Sequence, residues 1–379
     1  MAEILKLNEI SPLVKNVFKN DYQLVAESAA PVGIMVRSFN MHQYTPADSV
    51  LCIGRAGAGT NNIPVDDYAK KGIVVFNTPG ANANAVKELV ILALLLSARK
   101  VAQGISWANG LTDGEKTVAE QVEKGKKAFG GTEIEGKTLG VYGLGAIGKK
   151  VAFAAKALGM SIIGYDPYLP ESARKDFDGI TITDSKETLF SESDYITFHV
   201  PLTPETRGLV SEASIATMKD GVKIINCARG ELVDNASIIA ACESGKVSAY
   251  ATDFPNAEIV NKTGIICIPH LGASTEEAED NCAVMAASQM VDYVENGNIV
   301  NSVNFPRLSA EKGAARTLVL YCGDLSGAIS KATLGIKATV NSAMKKDYGA
   351  MIIDTDEALS DSTLAAIKAI DGVIKVRTF

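Results

Sequence analysis

At 379 residues the chain is too long for one compact core, so two or three domains are expected. Its 47% apolar and 21% charged residues form an ordinary globular composition, and 44 acids against 37 bases exclude a general nucleic-acid binder; an anionic ligand must be met by local arginines or backbone N–H groups. No apolar signal core opens the sequence, the longest apolar run (89–96) is too short to span a bilayer, and the six cysteines form no C-x-x-C pair, so a cytoplasmic chain with reduced thiols buried at Cys52, Cys227 and Cys267 is expected.

Residues 1–96 read as a small α/β unit, with strands at 34–36, 50–53 and 73–76 and a helix at 64–71. The first of these strands ends at Arg37. The second exits into Arg55-Ala56-Gly57-Ala58-Gly59, a glycine-rich loop at a strand's carboxyl end, where open parallel sheets collect ligands. Its backbone donors suit a carboxylate, and Arg55 has the fork that matches carboxylate or phosphate. A long apolar-rich helix runs from 84 to about 102, and the polar stretch 107–131 follows as an arm or an interface.

The organising stretch is 137–148. A short strand at 139–142 enters Gly143-Leu144-Gly145-Ala146-Ile147-Gly148 and a helix to about 158. Gly143 permits the tight turn, Gly145 lets N–H groups approach a pyrophosphate, and Gly148 lets helix and strand pack closely. The next strand, 160–165, ends at Asp166, where a carboxylate can hold ribose hydroxyls and repel a 2′-phosphate, which favours NAD over NADP. Strands at 195–198, 223–226, 248–251 and 265–268, with helices near 212–218 and 235–244, complete six strands around this fingerprint. A helix at 274–296 and a segment at 300–305 lead back to the first unit. Beyond about 306, strands at 317–321, 351–354 and 373–377 with a helix at 360–370 describe a small appendage, too small to be a catalytic core and suited to assembly or effector binding.

Hydride transfer at a carbon bearing oxygen needs a proton donor or acceptor near neutral pH, and histidine is the default. The chain has three. His42 lies in a polar loop, His199 closes a strand and reads as packing, and His270 closes the last strand of the fingerprint sheet, the best position. Glu258 is available to raise its pKa, and Arg229, at another strand end, can fork onto a substrate carboxylate.

The motifs 143–148 with Asp166, His199-Val200-Pro201-Leu202-Thr203, Asn226-Cys227-Ala228-Arg229-Gly230 and Pro269-His270-Leu271-Gly272 resemble the D-2-hydroxyacid dehydrogenase family in order and spacing. The resemblance implies a Rossmann-type doubly wound parallel sheet over 97–274, a flavodoxin-like α/β substrate domain over 1–96 completed by 275–305, and an ACT-like α+β domain over 312–379. It implies an enzyme taking hydride from a small phosphorylated 2-hydroxy acid to NAD, as a homodimer or homotetramer, with no metal, nucleic acid or membrane partner. Arg229, Glu258 and His270 would be catalytic. Gly143, Gly145, Ala146, Ile147, Gly148, Asp166, Val200, Pro201, Thr206, Cys227, Ala228, Asp253 and Gly272 would hold the cofactor, and Arg37, Arg55, Ala56 and Gly57 the substrate. The family's Glu-Pro pair is missing from 253–259, and 321–324 lacks the histidine and asparagine associated with effector binding. The other readings are a glyoxylate/hydroxypyruvate reductase and a non-catalytic NAD-sensing protein.

Overall fold

The computed structural model describes residues 1–379 and divides into two compact units, Met1–Asn82 with Glu276–Phe379, and Ala83–Thr275. The first unit opens with strands β1 (Ala2–Lys6), β2 (Tyr22–Val25), β3 (Gly33–Val36), β4 (Cys52–Arg55) and β5 (Val74–Phe76). They form one parallel sheet in the order β2-β1-β3-β4-β5, the flavodoxin order. Every residue of β3 and β5 is buried, the continuous apolar run of a strand covered on both faces.

The second unit begins with the helix Ala83–Ala98, which buries Val86, Val90, Ala93 and Leu94 in the same core as Val141, Val151 and Ala155. Its apolar face is satisfied there, so the division falls at Asn82/Ala83 and not at the 96/97 position expected from sequence. A 77° bend separates it from the helix Val101–Asn109, and no single helix is long and apolar enough to cross a membrane. The polar stretch that follows is helical at Val118–Gly125, capped by a Thr117–Glu120 capping box, and neither of these two arm helices buries a residue.

Strands β6 (Thr138–Tyr142), β7 (Ser161–Tyr165), β8 (Thr181–Ile182), β9 (Tyr195–Phe198), β10 (Val222–Asn226), β11 (Val247–Thr252) and β12 (Ile265–Cys267) then build a seven-stranded parallel sheet. Its order, β12-β11-β10-β9-β6-β7-β8, is that of a doubly wound dinucleotide fold with one added strand. The switch point lies between β6 and β9, beside the glycine turn.

The helix Glu276–Asn296 returns to the first unit. Met290 fills the space that a side chain at Gly33 or Gly54 would need, since a Cβ there would lie 2.7 and 2.3 Å from it. The appendage follows as β13 (Ala315–Cys322), β14 (Ala338–Lys345), β15 (Tyr348–Thr355) and β16 (Val373–Thr378), an antiparallel sheet in the order β14-β15-β13-β16. With helices Ser326–Ala332 and Asp361–Lys368 this is the ferredoxin-like split β-α-β topology. One sheet face, Val319, Tyr321, Met351 and Ile353, packs with those helices. The other, Leu318, Leu320, Ala350 and Ile352, shares a core with Ile4, Tyr22, Met290 and Phe305. The appendage therefore completes the first unit's core.

Candidate active site

Gly143 adopts φ +95, and a Cβ there would meet the His199 carbonyl oxygen at 2.7 Å and Val200 Cγ1 at 2.8 Å. A Cβ on Gly148 would lie 1.9 Å from the Gly143 carbonyl oxygen, so helix Ala146–Ala157 touches the turn only because residue 148 has none. Nothing lies within 4 Å of the Gly145 Cβ position, and no side chain caps the helix that starts after it. The N–H groups of Ala146, Ile147 and Gly148 thus end a helix whose positive dipole end opens onto space, the cradle an anionic pyrophosphate takes. Asp166 closes this turn: its Oδ2 accepts from Leu144 N at 2.9 Å and its Oδ1 from Tyr168 N at 2.9 Å. Thr206 accepts from Thr203 N and donates to the Pro201 carbonyl, both at 2.8 Å, which fixes the loop carrying Val200 and Pro201.

Three neighbouring strands end in the remaining polar groups. After β10, the buried Asn226 accepts from Ala228 N at 3.1 Å and donates to the Arg229 carbonyl at 2.8 Å. The turn is held by that amide, a role sequence reading missed although the Asn stands at the strand's end. Arg229 Nη1 donates to the Ala228 carbonyl at 2.6 Å and the side chain is half-buried. After β11 comes Asp253, only 1% exposed, with Oδ1 buried and without a hydrogen-bond partner. Burial pushes its carboxyl up to about 6, against the opposing pull of His270 and Arg229. Gly272 stands against it, its Cβ position 3.6 Å from Asp253 Oδ2. The Cys227 thiol is raised by burial and by the Asp253 charge, so it stays protonated. His270 itself is exposed after β12, its ring 4.7 Å from that of Phe254.

Glu258 departs from expectation. Its Oε2 accepts from Asn235 Nδ2 at 2.8 Å, and it is Asp253, not Glu258, whose charge couples to His270 and Arg229. The short loop without the Glu-Pro pair carries Glu258 to the exposed start of helix Asn235–Ser244 instead. The other histidines are excluded as acid–base groups near neutral pH or lie elsewhere. His199 touches Thr197 Oγ1 at 3.1 Å, and burial pulls its pKa down to about 3, which keeps the ring neutral. His42 Nε2 lies 2.9 Å from the Asn61 carbonyl in the first unit.

In that unit, Arg37 follows β3 and Arg55 ends β4, which pairs with β3 through Val36 and Arg55. Arg37 Nη2 already meets Glu279 Oε1 at 2.7 Å, an ion pair that sequence reading did not foresee. The Arg55 guanidinium lies over Gly57, where φ is +145 and a Cβ would sit 1.6 Å from Nη1. The expected backbone donors are used internally: Ala56 N donates to the Val36 carbonyl at 2.8 Å and Gly57 N to the Arg55 carbonyl at 2.9 Å.

Residues 101–272 match the model of the D-isomer specific 2-hydroxyacid dehydrogenase NAD-binding domain. The D-3-phosphoglycerate dehydrogenase of Methanocaldococcus jannaschii is 39% identical over 272 residues, 70% of this chain and 50% of that one. Residues 101–272 therefore form the NAD-binding domain of a D-isomer specific 2-hydroxyacid dehydrogenase. The chain spans about half the length of the curated relatives it matches. Among structures, the NAD+-bound 3-phosphoglycerate dehydrogenase of Entamoeba histolytica is 27% identical with a TM-score of 0.63, covering 81% of this chain and 99% of that one. A glyoxylate reductase from Paecilomyes thermophila is 25% identical with a TM-score of 0.66, covering 80% and 98%. The glycine turn, the uncapped helix start and Asp166 are the features of the second unit that fit NAD.

Proposed function

We propose that this dehydrogenase oxidises 3-phospho-D-glycerate to 3-phosphohydroxypyruvate with NAD, the opening reaction of phosphorylated L-serine biosynthesis. The observation that carries the reading is the set Arg229, Asp253 and His270 at the ends of neighbouring strands of one sheet, beside a turn suited to a dinucleotide. The relatives' names supply the substrate class. Bound NAD would supply the hydride acceptor. Arg229 holds the substrate carboxylate in a forked, charge-assisted contact. His270, as neutral imidazole, takes the hydroxyl proton as the hydride departs, and in reverse returns it as imidazolium. Asp253 faces both cations and favours the charged imidazole.

Met1–Asn82, with the returning helix Glu276–Asn296, would bind substrate, Ala83–Thr275 the cofactor, and 312–379 would be an ACT-like assembly or regulatory domain. The exposed apolar residues Val101, Ile105 and Val118 of the arm support a homodimer or homotetramer, and the free cysteines support a cytoplasmic location. A substrate panel tests the reading: 3-phosphohydroxypyruvate with NADH should outrun glyoxylate and hydroxypyruvate in kcat/KM. Preference for glyoxylate would replace it with the reductase reading.

The arginines refine this expectation. Arg55→Leu should raise KM for the phosphorylated substrate over that for an unphosphorylated hydroxy acid by about 1.5–3 kcal/mol, the size of a lost charged hydrogen bond. Arg37→Leu should cost less, because Glu279 already compensates its charge. Equal losses on both substrates would remove the phosphate-reading role.

Asp166 should set cofactor choice. Asp166→Ser removes the ribose-facing carboxylate and its repulsion of a 2′-phosphate, so KM should rise for NAD and fall for NADP. Because Asp166 also accepts from Leu144 N, the gain with NADP should be smaller than the loss with NAD. A wild-type enzyme equally active with NADP would contradict the assignment.

A further inference from the structure

We infer that Phe254 is a positioning residue for the proton-transferring His270, acting jointly with the absence of a side chain at Gly230. This rests on the role proposed for His270. Phe254 follows Asp253 directly, and its backbone N–H donates to the Thr252 hydroxyl at 3.1 Å, with Thr252 itself fully buried at the end of β11. The ring is thereby delivered to a defined place. On one side it meets His270, centroids 4.7 Å apart and planes inclined by 54°. On the other it meets the turn after β10: a Cβ on Gly230 would lie 3.3 Å from Phe254 Cβ and 3.7 Å from Cγ. Phe254 is therefore a wedge between the turn carrying Arg229 and the loop carrying His270.

The wedge does two things. It is the ring packed against the exposed imidazole, so it narrows the orientations that His270 samples on an otherwise open loop. It also sets the spacing between the proton-transferring group and Arg229, because both flanking loops rest on it. A misplacement of such a group by about 1 Å can cost on the order of 10²-fold in rate. Gly230 has no positive φ, so alanine there meets no backbone penalty, and its methyl presses only on Phe254.

A double-mutant cycle tests this. Phe254→Ala should lower kcat by about 10- to 10²-fold, with KM and the dissociation constant of NAD within about twofold of wild type. Phe254→Tyr should restore most of the loss, and Phe254→Leu, a milder change that keeps an apolar side chain at the wedge, part of it. Gly230→Ala should lower kcat through the same ring. The two losses should not multiply, because in Phe254→Ala the new methyl has room. The pH profile of kcat should also move in Phe254→Ala, since Asp253 and Arg229 are the charged groups facing His270 and their distances to it change. A Phe254→Ala enzyme with wild-type kcat, or losses that multiply, would overturn the inference. If His270→Asn retains full turnover, it is the role of His270 that fails.

Discussion

A His270→Asn enzyme is expected to lose turnover on the order of 10²–10⁴-fold while binding NAD like wild type. The size follows from the lack of a substitute. Of three histidines, His199 is held neutral by burial, its pKa near 3, and His42 belongs to the first unit. Asp253 is the carboxylate that tunes the reaction. Its pKa is raised by burial to about 6, so it is ionised above that pH and protonated below. In the oxidising direction the rate should fall as pH drops through about 6, because protonated Asp253 no longer stabilises the imidazolium that forms as His270 takes the hydroxyl proton. Asp253→Asn should lack this limb and run slowly at every pH. Glu258→Gln should leave the limb in place, since that carboxylate is spent on Asn235. The stability sign is fixed by the same shift. A folded pKa above the ordinary 3.8 contributes stability below about 4 that is lost as pH rises through about 6, so Asp253→Asn should flatten the pH dependence of Tm across that window. A Glu258→Gln profile displaced to lower pH, with Asp253→Asn unchanged, would return the role to Glu258.

Much of the second unit was legible because its signals are local. The turn 143–148 states its geometry in three glycines, and β6, β7, β9, β10 and β11 are apolar runs that fall where periodicity puts them. β8 is only two residues long, Thr181–Ile182, too short for periodicity to register. Arg229 and His270 were found because strand ends are readable and so is residue type. What was missed is what depends on distant chain. β1 and β2 pair with each other and β2 is an edge, its Gln23 exposed, so their apolar pattern is broken. β14 is an edge strand with Val340 and Met344 each 41% exposed, which hides it in sequence as a polar stretch. The path of Glu258, the Arg37–Glu279 pair and the packing of Phe254 on His270 are set by loops that carry no periodicity. The appendage looked separable because its own elements are complete. Only the packing reveals that one face of its sheet belongs to the first unit.

That packing makes a second large effect predictable, at Arg316. Its side chain is fully buried, with Nε donating to Asp354 Oδ1 at 2.7 Å and Nη2 to Oδ2 at 2.8 Å. The remaining donors reach the Asn296 carbonyl at 2.7 Å, the Glu311 carbonyl at 2.9 Å and the Ala310 carbonyl at 3.2 Å. The guanidinium thus ties β13 and β15 to the end of helix Glu276–Asn296 and to the linker after it. Arg377 adds to the same junction, donating to the Tyr293 and Val294 carbonyls at 3.1 and 2.8 Å. Asp354→Ala would leave a buried charge with only neutral acceptors, a loss of about 3–5 kcal/mol. Arg316→Met should cost a similar amount by orphaning Asp354 and three carbonyls, whereas Arg316→Met with Asp354→Leu should recover part of it, since an apolar pair strands no charge. Denaturant unfolding of the three proteins measures this. The first unit should melt early in the single variants while the second unit, which contributes nothing to this network, keeps its transition and its affinity for NAD. A chain ended at Arg307 should behave in the same direction and more severely, because it removes Leu318, Leu320, Ala350 and Ile352 from the core around Ile4 and Phe305. Unfolding of that truncated chain at the wild-type midpoint would mean that the shared core adds nothing to the first unit.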